Sequence, residues 1–206
     1  MKKWYDKISN IYDIFTIRFY KKMRKELINA LDINQGNRIL IIACGTGQSF
    51  ELIEEKIGNK GEIIAVDYSA GMLNKAKKRI DKNEWSNIKL IEADAREINK
   101  KFFQRNNIQC NFDFVIGELA FSVIPEWKKV MKTSISLLNE TGKIGLLDWF
   151  RPEKDLLTKI TNLLAEAETT RNTIDYAEHL TANFKIIKKY FFKSIYVAVG
   201  NKKTAQ

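Results

Sequence analysis

A chain of 206 residues with 45% apolar and 29% charged side chains has the composition of a globular domain. Two cysteines and one histidine cannot form a Cys/His zinc cluster, and the charged, aromatic first residues lack the apolar stretch of a signal peptide. We therefore expect a cytoplasmic protein without a structural metal.

The net charge of +10 is concentrated at the two ends of the sequence. Residues 1–25 carry eight basic and two acidic side chains, and no acidic residue follows Glu178. Basic ends attract polyanions, so the pattern suits nucleic acid or an anionic membrane surface. The alternative is a lysine-rich composition that only keeps the protein in solution.

Short β-rich runs alternate with amphipathic segments along the chain. A helical segment over residues 11–31 comes first, and apolar residues recur at helical spacing in residues 73–80 and 127–138. The strand-like runs are residues 39–43, 63–66, 88–91, 112–116 and 144–147. This alternation predicts βαβ units and a parallel sheet. Two final runs, residues 184–192 and 195–199, predict an antiparallel hairpin at one edge of that sheet.

The first strand runs into a turn of small residues, and a helix is expected to begin near Gln48. Such a turn brings backbone N–H groups and a helix N-terminus against a ligand, and small side chains permit the close approach. The dinucleotide pattern G-x-G-x-x-G is not met, because Gln48 and Phe50 stand where its last glycine is required. The turn consists of Ala43, Cys44, Gly45, Thr46 and Gly47.

Acidic residues end the next two strands. Asp67 follows the second strand, where a carboxylate can accept both hydroxyls of a ribose. The alternative is a cap for the helix that begins near Ser69. Asp94 follows the third strand, where it can accept a hydrogen bond from an adenine amino group beneath Met72. Its alternative role is the N-cap of a helix over residues 95–99.

Taken in order, the segments ACGTG, AVDYSAGML, EADA, FDFVIG and GKIGLLDW resemble the class I S-adenosylmethionine (SAM)-dependent methyltransferases. The resemblance covers roughly residues 36–150. The Tyr-Asp pairs at Tyr5 and Tyr12 resemble the small quinone and phospholipid methyltransferase branch, in which N-terminal tyrosines fold over SAM. The resemblance implies a Rossmann-like, doubly wound, mostly parallel seven-stranded sheet, with SAM as cofactor and S-adenosylhomocysteine as product.

The resemblance also implies one methyltransferase domain with four parts. Residues 1–35 would form a helical lid or membrane contact, residues 36–150 the SAM-binding core, residues 151–183 helices that cap the acceptor, and residues 184–206 the hairpin. Residues 43–47 would hold the methionine and ribose of SAM, and residues 118–121 would face the sulfonium and the acceptor. The residues expected to bind SAM are Tyr5, Tyr12, Ala43, Cys44, Gly45, Thr46, Gly47, Asp67, Tyr68, Met72, Asp94, Ala95, Glu118 and Phe121.

Two positions depart from the family's pattern. Ile41 stands where an acidic residue usually helps to hold the cationic amino end of SAM, and Ala43 stands where a glycine is usual. Either SAM binding is weakened or another group replaces the missing carboxylate, and a non-catalytic copy is the alternative. We expect Ile41→Asp to leave the fold intact and to tighten SAM binding.

The sequence shows no compelling general base. The candidate catalytic residues are Tyr5, Tyr12, Asp148 and His179, and the single histidine suits a structural or surface role better. Because a neutral amine needs little help from a base, this pattern favours an amine acceptor.

Three acceptor classes follow. A lipid such as a phospholipid headgroup fits the basic, aromatic residues 1–25, which resemble an interfacial membrane anchor and suggest peripheral attachment to the inner face of the membrane. The same aromatics could instead pack on the sheet. A soluble metabolite or natural-product intermediate is the second class. Nucleic acid is the third, and the absence of an Asn-Pro-Pro-Tyr motif and of a separate RNA-binding module argues against it.

Overall fold

The computed structural model describes residues 18–153, 155–165 and 167–203 of the chain. Tyr5 and Tyr12 lie outside these residues, so the predictions for them remain predictions. Seven described strands form one sheet, and they are β1 (Arg38–Ile42), β2 (Glu62–Asp67), β3 (Ile88–Glu92), β4 (Phe112–Glu118), β5 (Leu138–Trp149), β6 (Thr181–Tyr190) and β7 (Ile195–Lys202).

Seven described helices connect or flank these strands. The first, α1, is described over residues 18–30, and the others are α2 (Phe50–Ile57), α3 (Ala70–Lys82), α4 (Lys100–Arg105), α5 (Trp127–Ser136), α6 (Leu156–Ala165) and α7 (Thr173–Leu180). Short polar side chains start three of them. Ser69, Asn99 and Asn172 each accept a hydrogen bond from a backbone N–H in the first turn of α3, α4 and α7.

The strands lie in the order β3-β2-β1-β4-β5-β7-β6. The first five are parallel, and β7 and β6 are antiparallel to their neighbours. The chain winds outward from β1 to β3 and then returns to place β4 on the other side of β1. This arrangement confirms the mostly parallel, doubly wound sheet with an antiparallel hairpin at one edge.

Helices cover both faces of the sheet because successive strand residues point to opposite sides. On one face, Ile39, Ile41 and Ile116 pack with α1, α2 and α3. On the other, Leu40, Ile42 and Val115 pack with α4, α5 and α7. The continuous apolar runs of the sequence are therefore strands buried on both faces.

Three local predictions need correction. The fifth strand begins at Leu138 rather than at residue 144, because Leu138 already pairs with Phe112 of β4; after an irregularity over residues 139–142, pairing with β4 and β7 continues from Lys143. Residues 95–97 form a turn and α4 starts only at Lys100, so Asp94 is not a helix N-cap. Phe191 and Phe192 belong to the turn between β6 and β7 rather than to a strand.

Among the described residues, no helix has both the length and the apolarity that a membrane span requires.

Candidate active site

The carboxyl ends of β1, β2 and β4 lie side by side. We call this end of the parallel strands the carboxyl edge, as distinct from the lateral edge formed by the hairpin. β1 pairs with β2 on one side and with β4 on the other, so the winding of the chain changes direction here. In open α/β sheets, the crevice at such a switch point is where ligands bind. The turn after β1, Asp67 after β2 and Glu118 after β4 are all brought to this crevice.

The turn after β1 requires left-handed backbone at three positions. Ala43, Gly45 and Gly47 have φ angles of 54°, 56° and 72°. A Cβ atom on Gly47 would lie 2.4 Å from the ring of Phe50, whereas one on Gly45 would point into open space. Gly47 therefore permits the packing of α2, and Gly45 leaves room for a ligand. The φ of Ala43 explains why glycine is usual at that position.

Asp67 is a buried carboxylate that is already oriented by the backbone. Its Oδ2 accepts the N–H of Gly45 at 2.8 Å, and its Oδ1 accepts the N–H of Ser69 at 2.9 Å. The two oxygens are thereby held at the turn, and they are the atoms that we expect to accept the ribose hydroxyls. Ser69, rather than Asp67, caps α3, because its hydroxyl accepts the N–H of Met72.

Glu118 forms a second acidic centre across the turn from Asp67. Its Oε2 accepts the Nε–H of Arg24 at 2.8 Å, and its Oε1 accepts the hydroxyl of Ser49. Arg24 lies on α1 and Ser49 precedes α2, and both are buried. This network therefore fixes α1 and the start of α2 to the end of β4.

Cys44 lies between these two carboxylates. Burial together with the negative charges of Asp67 and Glu118 raises the pKa of the Cys44 thiol well above its ordinary value. The thiol therefore stays protonated near neutral pH and is not a nucleophile. Thr46, two residues further along the turn, is held through its carbonyl, which accepts the Nε–H of Arg79 at 3.1 Å.

The predicted adenine end of the site lies after β3. Asp94 is held by Arg96, whose Nη2 approaches Oδ2 at 2.6 Å, and this hydrogen bond lowers the pKa of Asp94. Ala95 follows in the turn, and Met72 is buried in the first turn of α3. Tyr68 lies between Asp67 and the N-cap of α3. Their roles toward adenine remain predictions.

Asp148 ends β5 as a fully buried acceptor of four hydrogen bonds. It accepts the N–H groups of Phe121 at 2.7 Å, Ser122 at 3.0 Å and Trp149 at 2.8 Å, and also the hydroxyl of Ser122. Burial outweighs these donors and raises the pKa of Asp148 to about 6. The carboxylate therefore positions the loop after β4. The ring of Phe121 is buried in the core with α5 and α7, and its predicted role toward the sulfonium and the acceptor remains a prediction.

His179 is not brought to the site. It is exposed in the last turn of α7, and its carbonyl oxygen accepts a hydrogen bond from Lys203. Two positions after His179, Thr181 begins β6 and pairs with Lys202 of β7. This pair lies beside the first part of β5, at the end of the strands opposite the crevice. A catalytic role for His179 therefore has no support from its position.

Arg24 and Ser49, which hold Glu118, were not predicted from the sequence as parts of the site. A signal for Arg24 exists, because it lies on the buried stripe of α1 with Tyr20, Leu27 and Leu31. An arginine on an apolar stripe needs a buried acidic partner. Nothing in the sequence identifies that partner as Glu118, which is 94 positions away.

The fold and the site together match the class I SAM-dependent methyltransferases that the sequence resembles. A family model described as "Methyltransferase domain" matches residues 33–195. The chain belongs to this methyltransferase family. The comparison confirms the predicted class and its cofactor, SAM.

Individual relatives are distant. The demethylmenaquinone methyltransferase of Listeria welshimeri is 25% identical over 154 residues, which cover 73% of this chain but only 62% of that protein. A SAM-dependent methyltransferase from Aquifex aeolicus shares the fold with a TM-score of 0.60 and 14% identity, covering 87% of this chain and 89% of the other. Phosphoethanolamine N-methyltransferase 2 from Haemonchus contortus, in complex with SAM, has a TM-score of 0.67 and 16% identity over 80% and 38% of the two chains.

The residues present suit SAM chemically. SAM carries a cationic sulfonium, a cationic amino group and a ribose diol, and the crevice offers two carboxylates beside a turn of small residues. The space beside Gly45 leaves the turn open to a ligand of this size and charge. Asp67 and the turn after β1 would hold the ribose and methionine, and Glu118 would face the cationic groups.

Proposed function

We propose that the protein transfers a methyl group from SAM to a small amphiphilic acceptor, with the amine of a phospholipid headgroup as first candidate. SAM supplies an already activated methyl group, so the chain must mainly align the acceptor at about 3 Å and exclude water. A soluble amine or natural-product intermediate is the alternative within the same chemistry.

The observation that supports an amine acceptor is that four acids near the carboxyl ends of the described strands already have hydrogen-bond partners. Asp67 accepts two backbone N–H groups, Asp94 is paired with Arg96, Glu118 with Arg24, and Asp148 accepts four hydrogen bonds. Each acid is engaged in orienting the fold or the cofactor. An amine that has released its proton to solvent attacks with its own lone pair, so it needs no base from these acids.

We also propose that Glu118 takes over the role of the acidic residue that is missing at Ile41. Ile41 pairs with Ile116 across the β1–β4 ladder, and alternation places Glu118 on the same face, two residues further along β4. The carboxylate is thus shifted to the neighbouring strand, nearer the crevice. Its oxygens retain lone pairs for the amino group of SAM beyond the bonds to Arg24 and Ser49.

A matched pair of variants tests the role of Glu118. Arg24→Met alone and Arg24→Met with Glu118→Gln both remove the buried cation, but only the second removes the carboxylate. We expect the dissociation constant for SAM, measured by calorimetry, to be at least tenfold larger in the double variant. Equal dissociation constants in the two variants would show that Glu118 does not hold SAM.

The described end of the N-terminal segment supports contact with a membrane surface. Arg18, Lys21 and Lys22 are exposed on α1, and Phe19 is exposed beside them. Tyr20 instead packs in the core and accepts a hydrogen bond from Trp149. The two described aromatic residues of the predicted membrane anchor therefore differ in role. Phe19 is exposed and can contact lipid, whereas Tyr20 is part of the core.

A second candidate acceptor is a quinone-type lipid. The support for it is the similarity to demethylmenaquinone methyltransferases, which the Listeria welshimeri relative illustrates. The acceptor atom would then be a ring carbon of the reduced quinol, made nucleophilic by the hydroxyl on the adjacent carbon, and it would lose its proton as the methyl group is attached.

The acceptor experiment uses the full chain, methyl-labelled SAM and two purified acceptors in vesicles, phosphatidylethanolamine and demethylmenaquinone that has been reduced to its quinol. Label on phosphatidylethanolamine supports the proposal. Label on the quinone alone overturns the amine and supports the second candidate. Label only in water-soluble products of a cell extract shows a soluble metabolite, and SAM binding with no label anywhere shows a non-catalytic protein.

A further inference from the structure

The turn between β6 and β7 exposes aromatic side chains beside the N-terminal helix. Phe192 is 88% exposed, Phe191 is 44% exposed, and Phe19 of α1 is 45% exposed. The rings of Phe191 and Phe192 lie 5.8 Å apart, and those of Phe19 and Phe191 lie 6.2 Å apart. We call these three residues the aromatic tip.

The aromatic tip lies at the same edge of the sheet as the candidate active site. Ile195, the first residue after the turn, pairs with Trp149 at the carboxyl end of β5. The ring of Phe191 contacts that of Trp149 at 5.9 Å. Trp149 follows Asp148, which holds the loop after β4, so the tip is packed against the framework of the crevice.

The backbone conformation of the turn disfavours phenylalanine, and packing on Trp149 accounts for Phe191 but not for Phe192. Phe191, Phe192 and Lys193 all have positive φ angles, of 46°, 52° and 67°. Bulky residues in this region are strained, and glycine or asparagine would satisfy a turn at lower cost. Phe192 is also almost fully exposed, so it recovers little free energy by packing within the chain. An exposed apolar cluster of this kind is typical of a contact surface.

The charges around the aromatic tip are predominantly basic. Lys188, Lys189 and Lys193 are exposed on the hairpin, which contains no acidic residue, and Arg18 and Lys22 are exposed on α1. The nearby acids are engaged. Glu26 is paired with Lys188 and accepts the hydroxyl of Tyr190, and Asp155 is paired with Arg151. Glu153 is exposed on the loop before α6.

We propose that the aromatic tip inserts into the headgroup region of an anionic bilayer and seats the carboxyl edge of the sheet on the membrane. Aromatic rings at headgroup depth, surrounded by lysines, provide both the apolar and the electrostatic part of interfacial binding. The turn between β6 and β7 would thus contact the membrane together with the N-terminal segment, and this contact rests on the membrane location given in the proposed function. It does not depend on which acceptor is methylated.

Vesicle co-sedimentation of the full chain, without SAM, tests the tip separately from catalysis. Vesicles of phosphatidylglycerol and phosphatidylcholine are compared with vesicles of phosphatidylcholine alone. We expect preferential binding to the anionic vesicles, a roughly tenfold weaker partition for Phe192→Ser, and retained binding for Phe192→Trp. Because Phe192 is so exposed, Phe192→Ser should unfold at the same urea concentration as the wild type.

A pair of lysine variants provides the matched charge control. Lys193→Gln should weaken partition about fivefold, whereas Lys60→Gln, at the opposite edge before β2, should leave it unchanged. Wild-type partition by Phe192→Ser, or equal binding to both kinds of vesicle, would overturn the proposal. Self-association that Phe192→Ser abolishes, without vesicle binding by the wild type, would instead identify a second copy of the chain as the partner.

Discussion

Replacing Asp67 by alanine tests the assignment of the site most sharply, because this carboxylate serves both the fold and the cofactor. The substitution leaves the N–H groups of Gly45 and Ser69 without their carboxylate partner in a buried turn. Each orphaned donor costs about 1 to 3 kcal/mol, so we expect the free energy of unfolding to fall by about 2 to 6 kcal/mol. The loss of two ribose hydrogen bonds should raise the dissociation constant for SAM at least tenfold, or about 1.4 kcal/mol.

The two effects are separated by a control at the opposite edge of the sheet. Asp113 accepts the N–H of Arg38 at 2.8 Å and the side-chain amide of Asn37 at 3.1 Å. Asp113→Ala should therefore lower stability in urea unfolding but leave the calorimetric dissociation constant for SAM unchanged. If Asp67→Ala lost stability and still bound SAM like the wild type, the ribose assignment would be refuted.

Three further predictions follow from local geometry. Ala43→Gly should raise the free energy of unfolding by about 0.5 to 1 kcal/mol in urea titrations, because it relieves a φ of 54°; a loss of stability would contradict this. Ile41 is only 3% exposed in an apolar cluster, so Ile41→Asp should lower that free energy by about 3 kcal/mol or more rather than leave the fold intact. The raised pKa of Asp148 adds stability below its ordinary pKa of 3.8, and this is lost as pH rises through about 6. Asp148→Asn should remove this dependence from the difference between wild-type and variant unfolding curves.

The parallel core of the fold follows from the sequence because its signals are local. β1 and β2 are continuous β-branched runs, as strands buried on both faces require. The turn of small residues after β1 marks the ligand crevice for the same reason, since only small side chains with access to positive φ can form it. Asp67 is found by its position at the end of the next strand.

Features set by distant partners could not be predicted. The pairing of Arg24 with Glu118 joins a helix to a strand 94 positions away, and neither side chain alone indicates the other. The start of β5 at Leu138 depends on its pairing with Phe112 of β4, which the turn-like sequence of residues 139–142 does not indicate. The strand-like run of residues 184–192 likewise predicted a strand through Phe192, although the chain turns at Phe191 and leaves Phe192 exposed.

The measurement that tests the central claim most directly is transfer of label from methyl-labelled SAM to a total lipid extract, by the wild type and by Asp67→Ala side by side. We expect label in the organic phase with the wild type. With Asp67→Ala at the same SAM concentration, we expect that label to be lost. Equal labelling by both proteins would contradict the assigned SAM site, and the absence of label from the organic phase would contradict a lipid acceptor.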